Sequence, residues 1–413
     1  MRVADLFCGA GGMSEGARQA FAEARVRMNL VCVNHWPVAI DTHTANHPDA
    51  IHYCDGIENV EPLIATRGQR LDLLMGAPTC VYYSRARGGR PTSDQQRSQP
   101  SELVTWIEQT KARLVIVENV PEIIDWGPVD PVTGRPVKAR KGEFFRKWLN
   151  DMRAAGMRSI EYRIINCADY GDATARQRFI LIGRADGLPV DWPAPTHAAW
   201  PHNLLEGLPR HRGADEIVDL GHRGTSIFTR KRPLAAATLQ RISRGLLKCG
   251  EGAAPYLVVL RRHADSRGID LPIPTVTAGG NHLALAQPMI TKYYSAAKTA
   301  KPLHEPLDAL TTKARFALIQ PVYEALAAGH LPDDERVLEI DGERYRFDIL
   351  FRMLTAREMA AAHSFPAGYH FAGTGTDHTR QVGNSVPVRT ARALVSAQLP
   401  ALGIGDCDIR EAA

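Results

Sequence analysis

Four short stretches hold residues able to do chemistry, each at or near the end of an apolar run. Residues 71–80 (Leu-Asp-Leu-Leu-Met-Gly-Ala-Pro-Thr-Cys) put the thiol of Cys80 just past a predicted strand. Residues 115–121 (Val-Ile-Val-Glu-Asn-Val-Pro) put the Glu118 carboxylate at the end of another. In Thr174-Ala175-Arg176-Gln177-Arg178 the two arginines occupy alternate positions, so an extended backbone turns both to one side. Residues 381–387 (Gln-Val-Gly-Asn-Ser-Val-Pro) read as a polar turn. A thiol becomes a nucleophile when a helix N-terminus or an arginine lowers its pKa. A carboxyl group in a closed, partly desolvated place can hold a proton near neutral pH. Each residue also has a plain structural reading: Cys80 as a small buried hydrophobe, Glu118 as a capping or salt-bridged carboxylate, the arginines as a surface ion-pair site.

These stretches need elements to position them. The chain opens with strand 3–7 running into Cys8-Gly9-Ala10-Gly11-Gly12 and then helix 14–21. Glycines allow a tight turn and close backbone approach, and a helix N-terminus offers free N–H groups, so the run suits a nucleotide-like cofactor. It equally fits an ordinary tight turn between strand and helix. Further strands are predicted at 30–34, 71–75, 114–118, 162–166 and 179–183. Helices are predicted at 37–46, 101–110 and 143–155. Short apolar strands alternating with helices predict an α/β fold with a doubly wound, mostly parallel sheet, whose ligands bind beyond the C-terminal strand ends. After residues 191–195 (Asp-Trp-Pro-Ala-Pro) the chain becomes basic and punctuated by Pro and Gly. A tandem similarity there (residues 274–288 and 307–321) reads as a duplicated, β-rich unit. Helical character returns at 356–363 and 389–399.

Composition narrows the class. The 413 residues, 44% hydrophobic and 23% charged, suit two globular domains. Met1 leads directly into the first strand and no apolar stretch could span a bilayer, so neither a signal peptide nor a membrane partner is expected. Seven scattered cysteines without a Cys-x-x-Cys pair predict no disulfide framework and no metal site, and fit a reducing, cytoplasmic compartment. Nine Lys/Arg against four acids between residues 206 and 248 account for the whole chain's net charge of +5. Such clustering is the mark of polyanion binding or of a solvated face.

Together the four stretches and the opening run resemble the DNA cytosine C5-methyltransferase family, of phage and bacterial type. The resemblance covers residues 1–185 and 350–399 in motif order and spacing. It implies a Rossmann-like S-adenosylmethionine-dependent methyltransferase domain at 1–190, completed by 352–413, with a smaller β-rich target recognition domain at 191–351. By this resemblance Cys80 is the nucleophile toward cytosine carbon 6, Glu118 contacts N3 of the base, and Arg176 and Arg178 lie beside the base and its phosphate, Arg178 toward O2. Asn119 fixes the loop. S-adenosyl-L-methionine is the implied cofactor, with contacts from Phe7, Gly9 and Gly11, from His35 and Trp36, from Asp55 (adenine amino group), from Pro78, and from Asn384 and Ser385. Ser84, Arg85 and Arg87 follow Cys80 where the family keeps a mobile loop that closes over a flipped base. With Arg230, Lys231 and Arg232 of the basic cluster they are the implied DNA contacts. The implied partners are double-stranded DNA and a cognate restriction endonuclease, and the family's habit is monomeric action.

The chain departs from the family pattern at named places. His35 stands where an acid usually meets the cofactor ribose, Thr79 and Val81 flank Cys80 in place of Pro and Gln, and Thr174 and His363 replace glutamines. Two alternatives follow: a relative that transfers a modified group or acts on RNA, and a catalytically silent DNA-binding relative. Retention of Cys80, Glu118 and Arg178 together speaks against the silent one.

Overall fold

Short apolar runs bounded by turns build a seven-stranded sheet in which Arg2–Leu6 (β1) is an interior strand, third in order. The computed structural model describes residues 1–78, 95–130, 133, 135–199, 202–219, 221–234, 239, 256–259, 267–268, 283–285, 289–292, 300–302, 305–308, 316–325, 337–340 and 343–404. Cys80 and the segment 79–94 therefore lie outside the described residues.

The chain continues through α1 (Gly12–Glu23), β2 (Asn29–Val33), α2 (Pro37–Asn46), β3 (Ile51–Tyr53), α3 (Pro62–Ala65), β4 (Leu73–Gly76) and α4 (Gln95–Thr110). Then come β5 (Leu114–Asn119), α5 (Glu143–Ala154), β6 (Ser159–Asn166), β7 (Thr174–Ala175) and β8 (Gln177–Arg184). The sheet order is β3-β2-β1-β4-β5-β8-β6. The first five strands are parallel, whereas β8 pairs antiparallel with both β5 and β6. The sheet is thus mostly parallel, with an antiparallel edge pair. Strand alternation gives it two apolar faces. One face (Val3, Leu73, Met75, Ile116, Ile180) packs against Met13, Ala17 and Phe21 of α1 and against Ala391, Leu394 and Val395. The other (Leu6, Leu74, Val115, Val117, Leu181) packs against Leu103, Trp106 and Ile107 of α4 and Phe145, Trp148 and Met152 of α5.

After α6 (His202–Glu206) come β9 (Thr225–Ser226), β10 (Tyr256–Val259), β11 (Arg267–Gly268), β12 (Leu283–Leu285), β13 (Met289–Lys292), β14 (Ala300–Pro302), β15 (Leu307–Asp308), β16 (Phe316–Ala325), β17 (Val337–Ile340) and β18 (Glu343–Met353). Three helices end the described chain: α7 (Ala356–Ala362), α8 (Gly375–Asn384) and α9 (Val388–Ala397). The chain divides into two compact units, one of residues 1–212, 306–313 and 359–413, the other of 213–305 and 314–358. Segment 306–313 belongs to the first because β15 pairs in parallel with β7. Within the second unit β9, β13, β14, β16, β17 and β18 share one sheet, and β10, β11 and β12 another.

Two expectations need correction. Residues 381–384 are not a turn but the last turn of α8. That helix starts at a capping box, in which the Thr374 hydroxyl accepts from Asp377 N and the Asp377 carboxylate accepts from Thr374 N. It ends at Ser385, before Pro387, where a proline blocks continuation. Among the described residues the two similar segments also pair differently. Leu283–Leu285 pairs with β10, whereas Phe316–Ala325 lies in the other sheet between β13 and β18.

Candidate active site

Parallel register brings the strand ends level. Leu6 pairs with Val33 on one side and with Gly76 on the other, and Gly76 pairs with Val117. The next residues, Phe7, Asn34, Ala77 and Glu118, therefore line one edge of the sheet. Strand order reverses between β1 and β4, and such a switch point opens a crevice for a ligand. The turn after β1 carries unusual backbone: Phe7 has φ 62°, Gly9 53° and Gly11 86°. For Phe7 this costs about 1–2 kcal/mol, strain of the kind that gathers at ligand sites.

The glycines of the turn do different jobs. A Cβ on Gly11 would lie 2.6 Å from the Tyr369 hydroxyl, and one on Gly12 would lie 2.1 Å from Val386 O. Both positions are small because neighbouring chain packs on them. A Cβ on Gly9 would meet only Phe7 O, at 3.8 Å, so that backbone faces open space. The open part of the turn is therefore at Phe7 and Gly9. Its far side is pinned by Tyr369, whose hydroxyl donates to Ala10 O at 2.6 Å, and by Ser14, which donates to Asp5 Oδ2 at 2.6 Å. Burial pushes Asp5 up to about 6.

Past β2, His35 is exposed and Trp36 half-buried. Trp36 N donates to Asn34 Oδ1 at 2.9 Å, and the Arg380 guanidinium lies 4.3 Å above the Trp36 ring. Past β3, exposed Asp55 accepts through Oδ1 from Asn59 Nδ2 and Gly56 N, at 2.8 and 2.7 Å. These bonds hold it below the usual carboxylate range. Past β4, Pro78 is buried and its carbonyl accepts from Asn119 Nδ2 at 2.9 Å. Asn119 thus fixes the segment leading to Cys80.

The antiparallel β5–β8 pairing carries the start of β8 to the end of β5, with Asn119 opposite Phe179. Glu118 and Arg178 then lie on the same face, and Glu118 Oε1 meets Arg178 Nε at 2.7 Å, both side chains largely buried. Arg176, between β7 and β8, is buried and donates from Nη2 to Gly383 O at 3.2 Å, tying this link to the end of α8. Burial, then the neighbouring Arg178 charge, pushes its guanidinium down to about 9. Asn384 is exposed, whereas Ser385 is buried. Ser385 donates to Val382 O at 2.8 Å and meets His363 Nδ1 at 3.0 Å. Burial holds His363 well below its ordinary value, so it is neutral at pH 7.

Of the implied DNA contacts, Ser84, Arg85 and Arg87 fall outside the described residues with Cys80. In the second unit Lys231 and Arg232 are exposed, and the Arg230 guanidinium lies 5.3 Å above the Phe351 ring. Nothing in the sequence marks Tyr369 or Arg380. Each meets a partner more than three hundred residues earlier, and no local spacing signals such a contact.

A strained glycine turn at the switch point of a seven-stranded sheet with one antiparallel strand inserted before the edge defines a Rossmann-like methyltransferase class. Solved structures agree on the fold: Entamoeba histolytica methyltransferase EhMeth (TM-score 0.53, 11% identical, 97% of this chain and 98% of that one) and S. pombe Dnmt2 methyltransferase (TM-score 0.52, 13%, 97% and 98%). Residues 1–399 match the C-5 cytosine-specific DNA methylase family, and the chain belongs to it. Among its relatives, Type II methyltransferase M.AgeI of Thalassovita gelatinovora is 26% identical, covering 95% of this chain and 98% of the relative. Type II methyltransferase M.XorII of Xanthomonas oryzae is 25% identical, over 96% and 84%. The protein is a DNA cytosine C5-methyltransferase that uses S-adenosylmethionine. Among the described residues no helix is long and apolar enough to cross a membrane.

Proposed function

We propose that this chain methylates cytosine within one DNA sequence, with Cys80, Glu118, Arg176 and Arg178 as its catalytic group. The ion pair between Glu118 and Arg178 at the sheet edge carries this reading. It lies where Asn119 holds Pro78, two residues before Cys80. Bound S-adenosylmethionine supplies an electrophilic methyl carbon. Open space at Gly9 fits the close approach of such a ligand, and Phe7, Trp36, Asp55, Pro78 and Asn384 would surround it, while Gly11, packed against Tyr369, and buried Ser385, bonded to Val382 O, shape the site from behind.

Carbon 5 of cytosine is a poor nucleophile until something adds across the adjacent double bond. The Cys80 thiolate would form a bond to carbon 6 while Glu118, after taking a proton from solvent on release from Arg178, gives it to N3, and the electron pair released toward carbon 5 would take the methyl carbon as its bond to the cofactor sulfur breaks. Loss of the carbon 5 proton to a base then expels Cys80 as thiolate, and N3 returns its proton to Glu118. In the unloaded site Arg178 and Glu118 hold each other. A flipped base whose O2 takes the Arg178 guanidinium frees the Glu118 oxygens to face N3, so arrival of the base arms the acid. Arg176, anchored to Gly383 O, keeps α8 and its neighbour Asn384 against this edge.

Target recognition belongs, in this reading, to residues 191–351. Lys231 and Arg232 neutralise phosphate, and Arg230 is partly spent on Phe351. In this reading the enzyme is cytoplasmic and monomeric, and its Type II relatives support a restriction–modification role beside a cognate endonuclease. The test is mass spectrometry of nucleosides from unmodified DNA incubated with the protein and S-adenosylmethionine. A 5-methylcytosine peak absent with Cys80→Ser is expected. If Cys80→Ser methylated at the wild-type rate, the assignment of the nucleophile would be wrong.

A further inference from the structure

Spacing along the chain predicts no metal site, yet the fold gathers two cysteines and a histidine. Cys32 lies in β2, beside β1. Cys8 follows the end of β1 and its N–H donates to Val33 O at 3.3 Å. His43 comes from α2. The two Sγ atoms and the imidazole nitrogen all lie within 4.8 Å of one another, and all three residues are buried. Cys32 Sγ is 3.5 Å from His43 Nε2. A tetrahedral Zn2+ site, with metal–sulfur bonds of about 2.3 Å and metal–nitrogen bonds of about 2.0 Å, spaces its ligand atoms about 3.5–3.8 Å apart. The cluster needs only a small contraction to match.

A second, independent feature points to a cation. Asp5 is fully buried and stands opposite Cys32 in the strand register. Its Oδ2 accepts from Ser14, but its Oδ1 is a buried oxygen without a hydrogen-bond partner among the described residues. An orphaned carboxylate oxygen is costly in a protein interior and is a good ligand for a metal ion. The surroundings of His43 also suit ligation. Its Nδ1 lies 2.9 Å from His52 Nε2, and His52 in turn bonds the backbone of Ala50. With Nδ1–H donating to His52, Nε2 faces Ser14 Oγ at 3.0 Å and Cys32 Sγ at 3.5 Å, and metal binding exchanges the Ser14 contact for the metal–nitrogen bond while His52 keeps the ring oriented.

We propose that Cys8, Cys32 and His43, with Asp5 beside them, bind one thiophilic divalent cation such as Zn2+ at the root of the 7–11 turn. This does not depend on the catalytic assignments above. Binding forms two metal–sulfur bonds and one metal–nitrogen bond, and the two thiol protons leave to solvent. Cys8 stands between Phe7 and Gly9, and an occupied site restrains the turn that cradles the cofactor.

The full chain, reduced and stripped of metal with a chelator, is titrated with Cd2+ and followed by the thiolate-to-cadmium charge-transfer absorption. One Cd2+ per chain with the absorption of two thiolates is expected. It should persist in Cys54→Ala, vanish in the Cys8→Ala/Cys32→Ala double variant, and weaken about 10–100-fold in His52→Ala. X-ray absorption of the Zn2+-loaded wild-type protein should show two sulfurs with one or two nitrogen or oxygen neighbours. A shell without sulfur, or a Cd2+ titration unchanged by loss of both cysteines, overturns the site. Because the shell is read on wild-type protein, the site is tested even where a variant fails to fold.

Discussion

At the scale of residues, the Glu118–Arg178 pair sets the sharpest expectation. Arg178 offers a planar fork that can hold a carboxylate in one state and a carbonyl oxygen in another, and a lysine has the charge without the fork. Arg178→Lys should lower kcat for methyl transfer by about 100-fold, as loss of a positioned acid–base partner does. DNA affinity should stay within a few-fold. Equal losses in kcat and in DNA affinity would show that Arg178 only binds. The pair was legible in the sequence as two separate motifs, because a strand end with a carboxylate and an alternating arginine pair have recognisable forms. Their meeting was not, since it depends on β8 running antiparallel to β5. The histidines give a pH signature. Burial lowers His47 to about 4 against 6.5 in the unfolded chain, a shift that Glu15 partly opposes and that Arg18 and His52 reinforce. The folded state thus binds fewer protons, and the associated stability is complete above pH 6.5 and is lost as pH falls toward 4. His47→Gln should remove on the order of 3 kcal/mol of this acid loss, read as the change in urea midpoint between pH 7 and pH 4. Asp5 and Asp172, both raised to about 6 by burial, act in the opposite sense over the same range. The difference between variant and wild type, rather than the wild-type curve, therefore isolates His47.

At the scale of elements, the contact between α1 and α9 holds the glycine turn in place. Gly12 and Gly16, one helical turn apart, let the backbones meet: a Cβ on Gly16 would lie 2.5 Å from Ala391 Cβ and 2.6 Å from Arg392 N. Backbone cannot yield as a flexible side chain can. Gly16→Ala should therefore cost about 1–3 kcal/mol by overpacking, despite the better helix propensity of alanine. Thermal unfolding measures it, and an unchanged or raised Tm would show that the helices can separate without cost. The α8 cap is a gentler case. Thr374→Ala removes the hydroxyl that meets Asp377 N, and about 1 kcal/mol of stability should go with it. Cofactor affinity should weaken as well, because α8 ends at Asn384 and carries Arg380 over Trp36. Most strands and helices of the first unit were readable, their ends shifting by a few residues, because a strand buried on both faces is a short apolar run in any context. α8 was not, because its middle is polar (Asp377, His378, Thr379, Arg380, Gln381) and only its cap and its packing against the rest of the unit make it a helix. Nor was β3, because three residues carry no periodicity.

At the scale of the whole molecule, affinity for DNA and choice of sequence are separable properties with separate observables. Phosphate contacts fix register and are sensitive to salt, whereas base-edge contacts carry the sequence. The sequence offers a candidate for the phosphate part: its net charge is concentrated between residues 206 and 248, and Lys231 and Arg232 are exposed in the second unit. Base readout left no comparable trace, because a few side chains chosen by loop geometry have no periodic or compositional signature. If Lys231 and Arg232 each neutralise one phosphate, replacing both with alanine removes about two released counterions. The slope of log affinity against log salt should then become shallower by about 1.8. The loss at low salt should be nearly the same on target and on unrelated duplexes, since neither residue reads a base in this assignment. Binding isotherms of wild type and double variant across a salt series, on both duplexes, decide the matter. A slope that does not move would remove these residues from the interface. A loss confined to the target duplex would instead assign them to sequence readout, and would place the base-reading face where the charge is densest.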